Sequence, residues 1–287
     1  MSRSAVPRGG ARRNSSRPPP ISASSPSSIV RSSPARVIGT SHRAMRGEVQ
    51  VKGAPVAYES GLERDLLITL DFIPTACDVR GQPITMTYTD PATSHRRRYT
   101  PDVAVRFNPP IEPAHPNGLI IEVKYRDELF ASWSTLKPKF KAARAYAADH
   151  GARFAILTER EIRTPLFHNI AFLRPYLGRP EHVGFEEKVI ATLMAFEEAT
   201  PEIVMLASFA CADNRMRALP TLWRLIAQGR IGTDLTRPLT MTTPIWVAGE
   251  EAATWTDPHS YVLRPLLRCA ADRERIASHM RSIWTVS

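Results

Sequence analysis

The chain has 287 residues, 43% of them hydrophobic, which is enough for one large domain or two small ones with a buried core. No run of about 18 uncharged apolar residues occurs, which argues against a transmembrane helix. The first residues also lack a signal-peptide pattern, so we expect a cytoplasmic protein. Three widely spaced cysteines, Cys77, Cys211 and Cys269, match neither a disulfide framework nor a zinc-ligand spacing and predict free thiols.

The net charge of +10 is concentrated at one end of the chain. Residues 1–50 contain nine arginines and one acid, Glu48, and contribute +8. The other 237 residues contribute only +2. The basic character is therefore no guide to the function of the remaining chain, and any nucleic-acid site must be argued locally.

The first 50 residues predict a disordered basic tail that is rich in Ser, Pro and Arg. Such a composition cannot bury enough apolar surface to offset the entropy of ordering. A disordered basic tail can hold DNA loosely through counterion release. Two alternatives are an over-extended reading frame that truly starts at Met45 and an organelle transit peptide. The run of prolines at 18–20 disfavours the amphipathic helix that a transit peptide needs.

Residues 55–178 show a mixture of helix and strand patterns, and we expect ordered structure to begin near Tyr58. The leucines Leu62, Leu66 and Leu70 are spaced four apart and predict a helix. The predicted elements are a helix over 59–70, strands over 77–79, 84–88, 103–107 and 119–123, a helix over 135–150 and a strand over 153–158. This order predicts an α/β domain with a mixed sheet flanked by helices.

Residues 182–287 predict a smaller, mostly helical domain. A Gly/Pro-containing boundary at 178–181 precedes three helix patterns, over 185–198, 201–209 and 219–228. Two short apolar runs between residues 231 and 247 follow, and a last helix is predicted over 261–284. Three helices followed by a two-stranded ribbon is the order of a winged helix-turn-helix.

Two acids and a lysine form the strongest chemical pattern. Asp102 follows Pro101 at the start of one predicted strand, while Glu122 and Lys124 are two residues apart on the next. Because side chains alternate along a strand, Glu122 and Lys124 share a face, and Asp102 can lie opposite them if the strands pair. Paired carboxylates suit Mg²⁺, which neutralises charge during phosphodiester cleavage, and an adjacent ammonium can orient the attacking water.

Glu63 is the candidate third acid of this site. It borders the apolar stripe of the first helix, where a carboxylate is costly without a partner. Glu59 lies one turn earlier and is the rival position. Alone, the acid–x–lysine triplet is typical of an exposed cross-strand ion pair. The combination of helix acid, Asp102 and the triplet favours a catalytic site.

These segments resemble the PD-(D/E)xK nuclease superfamily, and within it the TnsA endonuclease subunit of bacterial heteromeric transposases. The segments that carry the resemblance are Glu59-Ser60-Gly61-Leu62-Glu63-Arg64-Asp65, Gly81-Gln82-Pro83, Tyr99-Thr100-Pro101-Asp102 and Ile121-Glu122-Val123-Lys124-Tyr125-Arg126. The resemblance covers about residues 55–165 and continues more weakly into residues 222–244, whereas the tail before residue 45 does not share it.

The resemblance implies a restriction-endonuclease-like fold and a nuclease that cuts the 5′ ends of a transposon. It implies Mg²⁺, replaceable by Mn²⁺, held by Glu63, Asp102, Glu122 and the carbonyl of Val123, with Lys124 as the catalytic lysine. It also implies a DDE transposase partner similar to TnsB and an AAA+ ATPase similar to TnsC, contacted through the C-terminal domain. The alternatives are a stand-alone repair or restriction nuclease and a non-catalytic DNA-binding or scaffolding subunit.

Two basic clusters are candidate DNA contacts. One is the triplet Arg96, Arg97 and Arg98 before the Tyr-Thr-Pro-Asp segment; the other is formed by Lys137, Lys141 and Arg144, which share a helix face. Solvated basic surfaces are the alternative for both. Gln82 is a candidate accessory residue that either orders its turn or reaches the metal shell.

Overall fold

The computed structural model describes residues 45–110 and 114–248. Its strands are β1 (Gly47–Val51), β2 (Ala54–Tyr58), β3 (Ala76–Gly81), β4 (Met86–Thr89), β5 (Arg96–Tyr99), β6 (Val103–Phe107), β7 (Leu119–Val123), β8 (Arg153–Leu157), β9 (Glu198–Ala199), β10 (Ile231–Thr233) and β11 (Ile245–Val247). Its helices are α1 (Gly61–Phe72), α2 (Arg126–Ala131), α3 (Trp133–Asp149), α4 (Glu159–Ile162), α5 (Pro165–Leu177), α6 (Val183–Phe196), α7 (Pro201–Ser208) and α8 (Ala212–Ala227). None of these helices has the length and hydropathy needed to span a bilayer. The predictions for residues 1–44, for the helix over 261–284 and for Cys269 lie outside the described residues.

An N-terminal hairpin corrects the prediction that ordered structure begins near Tyr58. Strands β1 and β2 pair antiparallel around a tight turn in which Lys52 and Gly53 both have positive φ. The side chains of Val51 and Val56 are buried in the main core. The prediction was wrong for residues 47–57 because the hairpin is short and its alternating valines follow directly on the Ser/Pro/Arg-rich segment.

Helix α1 forms as the leucine spacing predicts. Ser60 is its N-cap, and the Ser60 hydroxyl oxygen accepts a hydrogen bond from the Glu63 backbone N–H at 3.1 Å. Leu62, Leu66 and Leu70 are fully buried in the core that α1 shares with the central sheet and α5. The helix therefore fixes its N-terminal turn, which carries Glu63, beside the sheet.

The central sheet has the order β3-β6-β7-β8 and is mixed, as predicted. The β3/β6 and β6/β7 pairs are antiparallel, whereas β7 and β8 are parallel. Side chains alternate between two cores: Ile121 packs on the α1 side, while Ile120 packs with Phe140 of α3 and Phe154 on the other. The structure thus confirms a mixed α/β fold with helices on both faces of the sheet.

Strand β7 enters the sheet through a tight approach at Gly118. This glycine has a φ of +84°, and a Cβ there would collide with the carbonyl oxygen of Val105 on β6. Only glycine fits such a position without strain. The position of Gly118 therefore sets where β7 begins and, four residues later, where Glu122 stands.

The C-terminal region contains α6, α7 and α8 with a three-stranded antiparallel sheet in the order β10-β11-β9. The three predicted helices and the ribbon are present, and β9 was not predicted. Helix α8 packs against α5, and its Leu222 and Leu225 belong to the same apolar core as α1. Its Arg224, 2% exposed, forms an ion pair with Glu186 of α6. The division at residues 178–182 stays a prediction.

Candidate active site

Asp102 and Glu122 lie together where β6 begins and β7 ends. The Asp102 backbone N–H donates to the Ile121 carbonyl at 3.1 Å, and the Val123 N–H donates to the Asp102 carboxylate at 2.7 Å. Strands β6 and β7 pair with Val103 opposite Ile121. The structure therefore brings Asp102 next to the acid–x–lysine segment, in the arrangement that the sequence predicts.

Glu122 is buried, with 2% of its surface exposed, and both its carboxylate oxygens have a donor. The Tyr99 hydroxyl donates to Oε2 at 2.6 Å, and the Lys139 ammonium donates to Oε1 at 2.9 Å. Burial, together with the charge of Glu122, raises the pKa of Tyr99, so the phenol stays protonated and donates. Three elements, β5, β7 and α3, thus converge on this carboxylate.

Tyr99 and Lys139 were not predicted as site residues. The Lys139 ammonium lies 4.7 Å from the centre of the Tyr99 ring and 5.1 Å from that of Phe140, which are cation–π distances. Because side chains on α3 repeat every 3.6 residues, Lys139 points to the sheet while Lys137 and Lys141 are exposed. The signal available in the sequence was that Lys139 stands two residues from Lys137 and from Lys141, on a different face of the helix, and directly before the apolar Phe140.

Lys124 follows β7 and stands beside the acids. Its backbone N–H donates to the Leu157 carbonyl at 3.0 Å, and its ammonium lies 3.3 Å from the Glu128 carboxylate. Burial acts to lower the pKa of Lys124, but the carboxylates of Glu122, Asp102 and Glu128 outweigh it and raise the pKa. Lys124 is therefore held as a cation next to the two strand acids.

Glu63 serves first as a helix cap. Its carboxylate accepts the Glu59 backbone N–H at 2.8 Å and the Ser60 hydroxyl at 2.9 Å. Burial raises the pKa of Glu63 against these two hydrogen bonds, and the nearby Lys124 also acts to lower it. The Ser-x-x-Glu spacing is the sequence signal for this cap. The two hydrogen bonds of the cap provide the partners that a carboxylate beside the apolar stripe needs.

The site carries an excess of negative charge. Burial and the carboxylates of Glu122 and Glu63 raise the pKa of Asp102 well above its usual range, and the Val123 N–H and Lys124 only partly offset them. A carboxylate whose ionised form is this unfavourable is stabilised by an added cation.

The donor set fits a hard divalent cation in part. Within the described residues, no three Asp, Glu, His or Cys side chains form a ready cation cage. Asp102 and Glu122 supply two carboxylates, and Val123 brings its backbone to the same corner. Gln82 donates its backbone N–H to the Asp102 carbonyl at 2.7 Å, and its buried Oε1 has no partner among the described residues. These oxygens suit Mg²⁺ or Mn²⁺, which commonly complete their shells with water and substrate phosphate.

The two predicted DNA-contacting clusters are exposed. On β5, Arg96, Arg97 and Arg98 are all exposed, and Arg97 donates to the Asp90 carboxylate at 2.8 Å. The side chains of Lys137, Lys141 and Arg144 are exposed on α3. Sequence reasoning treated the arginine triplet as equivalent, but the ion pair with Asp90 distinguishes Arg97 from the other two.

Residues 74–159 match the family model of the TnsA-like endonuclease N-terminal domain. The matched segment contains Asp102, Glu122 and Lys124 and confirms the resemblance over that part of the chain, whereas Glu63 precedes it. No curated protein matches the chain. The match supports a nuclease related to TnsA that acts on DNA.

Proposed function

We propose, on the premise that residues 74–159 form a TnsA-like endonuclease domain, that the protein is a metal-dependent DNA endonuclease of a bacterial, cytoplasmic transposition system. It cuts the 5′ ends of a transposon, while a TnsB-like DDE transposase cuts the 3′ ends. The observation that carries the proposal is the juxtaposition of Asp102, Glu122 and Lys124 at the end of β7, inside the matched domain.

Each residue has a defined task in this proposal. Asp102, Glu122 and the Val123 carbonyl hold the cation, with Glu63 as a further ligand from α1. Bound Mg²⁺ supplies charge neutralisation at the scissile phosphate and lowers the pKa of a water. Lys124, cationic and adjacent to both strand acids, orients the attacking water and stabilises the negative charge that develops on the phosphate oxygens.

The exposed basic residues place the DNA backbone across α3 and β5. Arg96 and Arg98 project from the strand that leads to the site, and Lys137, Lys141 and Arg144 project from the helix that packs over it. Contacts of this kind position a duplex without reading its sequence. We therefore expect these residues to contribute affinity that falls with salt concentration.

The C-terminal helices and sheet are proposed as a winged-helix-like module that binds a TnsC-like AAA+ ATPase. The order helix, strand, two helices and antiparallel hairpin over residues 183–247 supports this interpretation. The same proposal includes recognition of the transposon ends and assembly with the transposase and the ATPase.

The proposal is tested with the full chain, transposon-end DNA, Mg²⁺ and the partner transposase found beside its gene. Asp102→Ala and Lys124→Ala are expected to abolish 5′ nicking while DNA and partner binding persist, whereas Glu198→Ala, an exposed acid far along the chain, leaves nicking unchanged. Nicking by both site variants at the wild-type rate would show the assignment to be wrong. Specific cutting without any transposase would instead identify a stand-alone nuclease, and binding without cutting a scaffolding subunit.

A further inference from the structure

Glu122 already has a cation beside it, because the Lys139 ammonium lies 2.9 Å from its Oε1. The ion pair is mostly shielded from water: the Glu122 side chain is 3% exposed and the Lys139 side chain 19%. Shielding of this kind makes an ion pair matter far more than a surface salt bridge does. The Glu122–Lys139 ion pair therefore contributes to the electrostatic free energy of the site.

The Lys139 ammonium is held in place by its surroundings. It sits over the rings of Tyr99 and Phe140, which belong to the α3-side core. Tyr99 in turn donates its hydroxyl to the other oxygen of Glu122. One carboxylate therefore has a neutral donor on one oxygen and a full positive charge on the other.

These two donors have opposite consequences for a divalent cation. A phenol that donates to Oε2 orients the carboxylate without adding charge. An ammonium at Oε1 repels a second cation and occupies a carboxylate oxygen that the metal would use. The two contacts on Glu122 are therefore unlike in kind, although both look like ordinary hydrogen bonds.

We propose that Lys139 is a resident counter-ion of Glu122 that a divalent cation must compete with, and that Tyr99 is a positioning residue that aims the same carboxylate. The inference rests on the proposed role of Glu122 as a cation ligand. We therefore expect the DNA-free protein to bind divalent cations weakly, because the Lys139 ammonium that is already in place repels the incoming cation. A phosphate arriving with DNA offers Lys139 another anion and so favours loading when substrate is bound.

The test measures binding of Mn²⁺ by the full chain without DNA, using calorimetry. Lys139→Met removes the charge and is expected to tighten Mn²⁺ binding by tenfold or more. Lys139→Arg keeps the charge and is expected to leave the affinity near wild type. Tyr99→Phe removes only the hydroxyl and is expected to weaken binding about tenfold, the effect of losing an outer-shell partner. Lys188→Met, which removes an exposed lysine beside the Phe209 ring, is the matched control and is expected to change nothing.

A second readout covers the case in which Lys139→Met folds poorly. Thermal unfolding is followed with and without Mn²⁺, and the variant is expected to gain more stability from the ion than the wild type does. Weaker or unchanged Mn²⁺ binding in Lys139→Met, with no larger thermal gain, would overturn the counter-ion role. If Tyr99→Phe leaves Mn²⁺ binding unchanged, the positioning role is refuted.

The Glu122→Gln variant separates this inference from the proposed function. If it weakens Mn²⁺ binding while Lys139→Met fails to tighten it, Glu122 is a cation ligand and only the counter-ion inference falls. If Glu122→Gln leaves Mn²⁺ affinity unchanged, the proposed cation role fails, and the counter-ion inference falls with it.

Discussion

Replacing Asp102 by Asn is expected to stabilise the protein when no divalent cation is present. Burial and the carboxylates of Glu122 and Glu63 make ionised Asp102 unfavourable, and Lys124 with the Val123 N–H only partly compensates. Asparagine keeps an oxygen for the Val123 N–H, which now donates at 2.7 Å, and removes the charge. Single stabilising substitutions commonly add up to about 2 kcal/mol, and we expect Asp102→Asn to add about 1–2 kcal/mol.

The gain depends on pH in a defined direction. The native pKa of Asp102 is raised above the unfolded value, which is about 3.9. The native state therefore binds more protons, and the cost of ionised Asp102 is absent below the unfolded pKa and grows as pH rises through the native pKa. The stability difference between Asp102→Asn and wild type should be largest at neutral pH and shrink towards pH 4.

The assay is denaturant and thermal unfolding at several pH values in the presence of EDTA. At pH 7 the melting temperature of the variant should rise by about 2–8 °C for a folded region of this size. Asp149→Asn, at the exposed end of α3, controls for the loss of any carboxylate. Added Mg²⁺ should stabilise the wild type but not the variant. A variant less stable than wild type at pH 7 without divalent cations would refute the reasoning.

Three further predictions address the pH dependence and the fold. Burial raises the pKa of Glu63 and of Asp102. Mg²⁺-dependent cleavage should therefore be present at high pH and be lost as the pH falls through those raised pKa values, at a higher pH than for ordinary carboxylates. A pH–rate profile measures this loss. Arg224→Met leaves the buried Glu186 with Arg230, at 2.7 Å, as its remaining ion-pair partner among the described residues. The free energy of unfolding in urea should fall by about 3 kcal/mol. A fall of less than about 1 kcal/mol would contradict the importance of the Arg224–Glu186 ion pair. Gly118→Ala should lower the free energy of unfolding by about 1–3 kcal/mol in the same urea assay, because the alanine Cβ would meet the Val105 carbonyl at a positive φ. An unchanged urea midpoint would show that β7 can shift.

Hydrophobic periodicity was sufficient to predict α1 and β7, but it did not lead to a prediction of α5, although that helix buries Leu166, Ile170 and Leu173 along one stripe. Strand β7, buried along its length, and α1, with leucines every four residues, were both predicted. Strand β5 was missed because three of its four residues are arginines and only Tyr99 turns inward. Its pairing with β4, and not any apolar pattern of its own, makes it a strand.

The strand part of the candidate site was predictable because alternation fixes which side chains share a face. Asp102 and Glu122 come together through the pairing of neighbouring strands. Lys139 was not predictable in the same way, because its contact with Glu122 joins residues 17 apart through the packing of α3 on the sheet. For Glu63 the Ser-x-x-Glu spacing at the start of α1 was present in the sequence, but the position of Glu63 near Lys124 depends on how α1 packs.

The three acids of the site are compensated by different sets of donors. Glu63 accepts the Glu59 backbone N–H and the Ser60 hydroxyl, Asp102 accepts one backbone N–H of β7, and Glu122 accepts an ammonium and a phenol. Backbone and capping donors are dipoles, which orient an acid without cancelling its charge, whereas an ammonium cancels it. Asp102 is thus the least compensated of the three acids, and it is the carboxylate at which an arriving cation removes the most repulsion. Glu122 is already neutralised, so its contribution to cation binding depends on whether Lys139 stays. If the site binds a divalent cation as proposed, we therefore expect Asp102 to gain most from it, with Glu122 contributing in competition with Lys139.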